Sequence, residues 1–216
     1  MTFEAFVLAA ILAKQFRMAK MDKLIAESYA RTDALTNINN RRGFQEATVP
    51  IWHSIVRIGR DASIVLIDLD SFKRINDQNG HDAGDTILKN IANCIAQTIR
   101  KADITARWGG EEFIIFLPET SREQAAVQAE RVRKAIEALR SDIGHTHLRV
   151  TASFGVAGSL DNQFNDEKLS DNSFEVMIKS ADEALYLAKN NGKNRIIVNQ
   201  ADGQLTQHFP ATDSSV

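Results

Sequence analysis

Apolar and polar positions change their spacing several times along the chain, and each change marks an element. Ser63-Ile-Val-Leu-Ile67 is a continuous, partly β-branched apolar run, the pattern of a strand buried on both faces. Ile87, Leu88, Ile91, Ile95 and Ile99 follow at helical spacing. Ile104 to Trp108 and Glu112 to Leu117 flank Gly109-Gly110, which predicts a β-hairpin whose glycines supply the turn dihedrals. Ala125, Ala129, Val132, Ile136 and Leu139 mark an amphipathic helix. Leu148 to Val156 reads as a further strand, Val176 to Lys189 as a helix stopped by Gly192, and Arg195 to Val198 as a last strand. One antiparallel hairpin inside an alternating order predicts an α/β (α+β) fold: a central, mostly antiparallel or mixed five-stranded sheet flanked by helices.

The residues before Asp33 have a different texture. Phe3 to Ala13 is almost wholly apolar and is followed by Lys14, Arg17, Lys20 and Lys23. A spanning helix needs about 20 apolar residues, and a signal peptide carries its positive charge ahead of the apolar stretch, so neither pattern is complete. Val7, Leu8, Ile11, Met18, Met21, Ile25 and Tyr29 keep roughly helical spacing, which predicts an amphipathic or coiled-coil helix. A helix that pairs with its twin or packs on the domain is favoured over membrane attachment. The flanking basic residues keep open the other reading, a membrane remnant at the inner face of the membrane. Asn199 to Val216 has no apolar period and reads as a flexible tail. The expected organisation is therefore a signalling helix over 1–32, one domain over 33–198 and a tail over 199–216.

Composition narrows the function classes. With 44% hydrophobic residues the chain is not a disordered one. The 26 basic residues against 28 acidic ones exclude a broad nucleic-acid-binding surface, so any polyanion handled is small. Cys94 is the single cysteine and has no partner for a disulfide or a CxxC pair, which suits a reducing, cytoplasmic compartment.

Two segments carry candidate chemistry. In Ile67-Asp-Leu-Asp-Ser-Phe-Lys73, two carboxylates emerge at positions i and i+2 where the buried strand ends. A hard cation such as magnesium takes oxygen ligands and shares its shell with phosphate oxygens, so one or two carboxylates suffice. The competing reading, in which Asp68 merely ends the strand and Asp70 caps a helix, stands equally at this point. The second segment is Arg107-Trp-Gly-Gly-Glu-Glu-Phe113 in the hairpin turn. Paired glycines let a ligand approach the backbone, and adjacent acids place a carboxylate in solvent or on a metal, although an ordinary hairpin can hold the same residues. Together the two segments compose a metal site of the kind used in phosphoryl transfer.

Several blocks in order then resemble the GGDEF-domain family, the bacterial diguanylate cyclases. Asp33-Ala-Leu-Thr-Asn-Ile-Asn-Asn-Arg-Arg-Gly-Phe44 resembles the opening motif, Asp68 to Asn76 and Gly80-His-Asp-Ala-Gly-Asp85 the metal and guanine segments, and Arg107 to Phe113 the signature in its Glu-containing form. Thr151-Ala-Ser-Phe-Gly-Val156, Ala181 to Lys189 and Gly192-Lys-Asn-Arg195 complete the match. The resemblance covers about residues 33 to 198 and implies a nucleotidyl-cyclase or polymerase-palm-like fold.

It further implies a Mg2+-dependent enzyme, with Mn2+ as substitute, that condenses two GTP into cyclic di-GMP and pyrophosphate. Asp68, the Leu69 carbonyl, Glu111 and Glu112 would be the metal ligands, with Glu111 also the base for the ribose 3′-hydroxyl. Lys73 would stabilise phosphate charge, and Lys189 and Lys193 would grip the triphosphate; family members often carry arginine where Lys193 stands. Asn76 and Asp85, with Phe72 beside them, would bind guanine, whose donor edge adenine lacks. Because each domain would hold one GTP, the resemblance implies a homodimer, with the N-terminal helix raising the effective concentration of the two domains. Arg100 and Asp103, at the spacing of the family's product-inhibition site, and Arg131 would bind cyclic di-GMP. The alternative is a catalytically silent domain that serves as a GTP or cyclic di-GMP receptor. His81 reads as a turn residue, His145 and His147 as solvent-facing, and Cys94 as a small core residue. Asn37 replaces the family's glycine at a position where Asn tolerates a left-handed backbone.

Overall fold

A computed structural model describes residues 8, 10–18, 20–21, 31–143, 146–159, 172–199 and 205–207, with the backbone alone at 142–143, 146–147 and 172. It divides into two units, Met1–Arg31 and Thr32–Val216. In the first, the described residues between 8 and 21 are helical. Leu8, Ile11, Leu12, Phe16, Met18 and Met21 are all exposed there. Val7, Ile25 and Tyr29 lie outside the described residues. No helix among the described residues is long and apolar enough to cross a membrane.

The second unit is built on one mixed sheet. In chain order its elements are β1 (Asn39–Asn40), α1 (Arg41–Arg57), β2 (Ala62–Leu69), α2 (Phe72–Asn79), α3 (His81–Thr98), β3 (Ile104–Arg107) and β4 (Glu112–Pro118). There follow α4 (Arg122–Ala138), β5 (Ser141–Ile143), β6 (Thr146–Leu148), β7 (Ala152–Gly158), α5 (Asn172–Asn190), β8 (Ile196–Asn199) and β9 (Leu205–Gln207). Strand order in the main sheet is β1-β3-β4-β2-β7-β8-β9. The five predicted strands form its centre, and the count rises to seven through two very short edge strands. β1 pairs parallel with β3, and β9 pairs antiparallel with β8. Two and three residues respectively are too few to show a period, so neither was legible as a strand. The remaining described part of the predicted tail is thus Leu205–Gln207, in the sheet; 200–204 and 208–216 lie outside the described residues.

β2 sits at the centre, between β4 and β7, and is buried along its whole length. Its alternate residues feed two cores. Val65, Ile67 and Leu69 pack with Phe72 of α2, Ile87 and Ile91 of α3, and Ala129 and Val132 of α4. Ile64 and Leu66 pack on the other face with Phe44 and Trp52 of α1 and Phe174, Met177 and Leu185 of α5. The helices start where local chemistry tells them to. Asn40 accepts from the Gly43 amide at the start of α1 (2.9 Å), and Ser121 with Gln124 forms a capping box at the start of α4. Gly155 on β7 lets α5 lie directly on the sheet, because a Cβ there would overlap the Ala181 carbonyl and the Leu185 amide.

One predicted strand is split. Leu148 to Val156 is two strands: β6 closes a separate hairpin with β5, and β7 begins at Ala152 in the main sheet. The break falls where Thr151 is held by Asp70, whose amide donates to the Thr151 carbonyl (2.8 Å) and whose carboxylate accepts from the Thr151 hydroxyl (2.7 Å). Asn37 has φ 59°, in line with the left-handed expectation.

Candidate functional site

The site residues gather where β2 ends beside the β3–β4 turn. Asp68 lies directly across from Glu112 in the β2–β4 register, and the Leu69 amide donates to the Glu111 carbonyl (3.3 Å). Asp68 and Glu112 are on the sheet face of Leu66 and Ile114, the face that α5 covers, and Lys189 of α5 reaches Asp68 Oδ2 at 2.7 Å. Asp68 is only 7% exposed. Burial raises its carboxyl above the usual range, and the Lys189 ammonium acts in the opposite direction. Glu111 is raised as well, first by burial and then by the negative charge of Asp68. Among the described residues no three acidic, histidine or cysteine side chains already converge as ligands. The donor set is nevertheless all oxygen, and it already holds one cation, Lys189, on a buried carboxylate. That chemistry fits a hard divalent ion.

Asp70 is neither of the two things the sequence allowed. It accepts from the hydroxyls of Thr151 and Ser153 (2.7 Å each) and from the Asn194 amide (3.0 Å), so it ties three segments together. The residue that caps α2 is Ser71, with φ 58° and no side-chain cap bond.

The signature turn is fixed by its own arginine. Arg107 donates to the Gly110 carbonyl through Nε (3.0 Å) and Nη2 (2.7 Å), while Nη1 faces both carboxylate oxygens of Asp33 at 3.2 and 3.3 Å. Asp33 also accepts from the Thr36 amide (2.9 Å) and hydroxyl (2.6 Å). Burial acts to raise the Asp33 carboxyl, but the Thr36 bonds and Arg107 outweigh it and hold the group below the usual range. A cavity of about 490 Å³ opens beside Glu112, between Trp108, Leu66 and α5, and Arg41, whose guanidinium lies 4.4 Å from the Trp108 ring centre, also lines it.

Asn76 and Phe72, two of the residues expected to bind guanine, meet around Gly84. A Cβ at Gly84 would overlap Asn76 Oδ1 and come within 3.1 Å of Phe72 Cζ. Asn76 Oδ1 is buried and has no hydrogen-bond partner among the described residues. Asp85, the next residue of α3, is exposed, and Phe72 is buried in the core with its ring edge against this cradle. Lys73 is exposed on α2, and Lys193 donates from Nζ to the Ser71 hydroxyl (3.0 Å). At the far end of α3, the Arg100 amide donates to Asp103 Oδ2 (2.8 Å). Arg131 of α4 donates to Gln128, which in turn donates to the Thr98 carbonyl, so Arg131 is tied to the end of the same helix. His81 is exposed at the start of α3, Cys94 is half-buried against the core, and His145 and the His147 side chain lie outside the described residues.

Sequence reasoning singled out neither Asp33, Arg107 and Asn194 nor Thr151 and Ser153 individually, although all lie inside the matched blocks. Their roles depend on partners far away in the chain.

Comparison with known proteins gives a consistent result. A family model described as "Diguanylate cyclase, GGDEF domain" matches residues 30–195. The chain is 39% identical over 172 residues to diguanylate cyclase DgcM of Escherichia coli K12, covering 79% of this chain and 39% of that protein. It is 35% identical over 170 residues to the response regulator PleD of Caulobacter vibrioides, covering 78% and 36%. It therefore spans well under half the length of these curated relatives. Among solved structures it is similar to the active GGEEF domain of a diguanylate cyclase from Vibrio cholerae (TM-score 0.64, 32% identity, 74% of this chain and 97% of that one). It is also similar to the coiled coil and GGDEF domain of DgcB from Caulobacter crescentus in complex with c-di-GMP (TM-score 0.69, 26% identity, 92% and 100%).

Proposed function

The chain belongs to the GGDEF-domain family, and from that premise we propose that it is a diguanylate cyclase, condensing two GTP into cyclic di-GMP with release of two pyrophosphates. The observation that carries the reading is the orphaned Asn76 Oδ1 in the Gly84 cradle, with Asp85 beside it. Acceptors at this point match the N1 and N2 donors of guanine, and adenine would leave them unpaired.

Asp68, the Leu69 carbonyl, Glu111 and Glu112 would hold Mg2+, or Mn2+ in its place. When bound, the ion supplies positive charge to the triphosphate oxygens. Glu111 takes the proton of the 3′-hydroxyl as the new bond to the α-phosphorus forms and the bond to pyrophosphate breaks. Lys73, Lys189 and Lys193 balance the negative charge, Lys189 turning from Asp68 to the phosphates. The two reacting nucleotides sit on different protomers, so the active form is a homodimer, favoured by pairing of the exposed apolar face of the N-terminal helix. Arg100, Asp103 and Arg131 form the product-inhibition site.

The test is purified protein, freed of bound product, incubated with GTP and Mg2+ over a range of protein concentrations. Cyclic di-GMP and pyrophosphate should appear, with specific activity rising with protein concentration. No product at high concentration overturns the reading; binding of GTP or cyclic di-GMP without turnover then makes the domain a receptor.

A further inference from the structure

The loop that carries Lys193 is bent in an unusual way. Lys193 (φ 62°) and Asn194 (φ 44°) are consecutive non-glycine residues in the left-handed region. Such a conformation persists only where surrounding contacts impose it. Three sets of contacts do so. The Asn194 amide donates to Asp70 Oδ2 (3.0 Å), its side-chain Nδ2 donates to Glu137 Oε1 (2.7 Å), and its Oδ1 accepts from Arg133 Nη1 (2.8 Å). Every polar group of Asn194 on the inner side of the loop is therefore spoken for.

Arg133 is itself immobilised. Its Nε and Nη2 grip the two oxygens of the buried Glu130 at 2.8 Å each, in the fork geometry that only a guanidinium offers. Nη1 then divides between Glu137 Oε2 (3.0 Å) and Asn194. Glu130 takes Nε and Nη2, so the partners of Nη1 are Glu137 on its own helix and the loop. What Nη1 secures there is the residue next to Lys193. The Lys193 amide meanwhile donates to the Ala188 carbonyl at the end of α5 (3.0 Å).

We infer that Asn194, clamped by Arg133 and Glu137 of α4 and by Asp70, is a positioning residue that aims Lys193 at the β- and γ-phosphates of the nucleotide. The inference rests on the reading of Lys193 as a phosphate-binding residue and deepens it. α4, which contributes no residue to the proposed GTP site, thereby sets the strength of the triphosphate grip.

Asn194→Gly is the variant of choice. Glycine keeps the left-handed backbone and removes only the clamped side chain, whereas Arg133→Ala would strand a buried Glu130 charge. In the full chain, GDP and GMP binding are measured by calorimetry for the wild type, Asn194→Gly, Lys193→Ala and the double variant, with melting curves as the fold control. Asn194→Gly should weaken GDP about tenfold, the worth of roughly one hydrogen-bonded contact, and leave GMP within about twofold. In the Lys193→Ala background the same change should alter GDP binding less than about twofold, since the group it aims is gone. Equal weakening of GDP and GMP, unchanged GDP binding, or multiplicative effects of the two variants would each overturn the inference. Because the readout is binding, a wild type that binds GDP but makes no cyclic di-GMP sinks the cyclase reading and leaves this result standing.

Discussion

Replacing Arg107 with alanine cuts both hydrogen bonds to the Gly110 carbonyl and the ion pair to Asp33 in one step. Charge-assisted hydrogen bonds are worth about 1.5–3 kcal/mol each in net terms, and the turn is open to solvent, so the two together fall nearer about 2–3 kcal/mol than their sum. The Asp33 pair adds little beyond this, because both side chains keep contact with water, at 17% and 22% exposure. If that energy holds Glu111 and Glu112 in place, kcat falls roughly 30- to 150-fold at about 1.4 kcal/mol per decade. KM for GTP should change less than about threefold, since the Asn76–Gly84 cradle belongs to α2 and α3, away from the turn. The melting temperature should drop by about 4–10 °C for a domain of this size. Arg107→Lys keeps the charge without the fork and should recover only a small part of the rate. The assay is initial-rate pyrophosphate release across a GTP series, with a melting curve for each variant. An Arg107→Ala protein with kcat within twofold of wild type would show that the turn is held by its β-hairpin bonds alone and that the latch is ornamental.

Three further outcomes follow from the same geometry. Gly84→Ala places a methyl group where Asn76 Oδ1 sits, so KM for GTP should rise about tenfold or more with kcat largely kept; unchanged KM removes the guanine assignment. Asp33→Asn should lower stability at neutral pH. The Asp33 carboxyl is held low in the folded state, so its contribution is complete above the ordinary aspartate range and is lost as pH falls through the depressed value, and the melting gap between wild type and variant should close on acidification. Arg100→Ala should leave the initial rate intact and abolish the slowing of the reaction as cyclic di-GMP accumulates, which a full progress curve measures.

Much of the fold was readable because its centre is periodic. β2 alternates between two cores, and α3 and α4 keep their apolar stripes, so local spacing was enough. What escaped was set at long range. Asp70 offered a cap and a ligand as its readings, yet its partners Thr151, Ser153 and Asn194 lie 81, 83 and 124 residues away. The same tether ended β7 at Ala152 where hydrophobicity ran on to Leu148. Arg107 and Asp33 are 74 residues apart, and Arg133 and Asn194 are 61 apart. No local pattern pairs such residues; only the assembled fold does. The candidate acids and lysines were legible through the family's motifs, whereas the groups that aim them were not.

The ammonium of Lys189 lying on Asp68 gives the site a thermodynamic logic of its own. The protein carries an internal counter-ion, the Lys189 ammonium, for which an incoming phosphate would compete with Asp68, and which would itself compete with an incoming divalent cation for Asp68. On the proposed chemistry, each ligand removes the other's competitor. The two affinities are then coupled, and linkage requires that nucleotide tighten metal binding by the same factor by which metal tightens nucleotide binding. Metal titrations with and without a non-hydrolysable nucleotide would therefore give two different dissociation constants, and Lys189→Met would narrow the gap between them to what direct metal–phosphate contact supplies. On that chemistry such a centre would load its two ligands cooperatively.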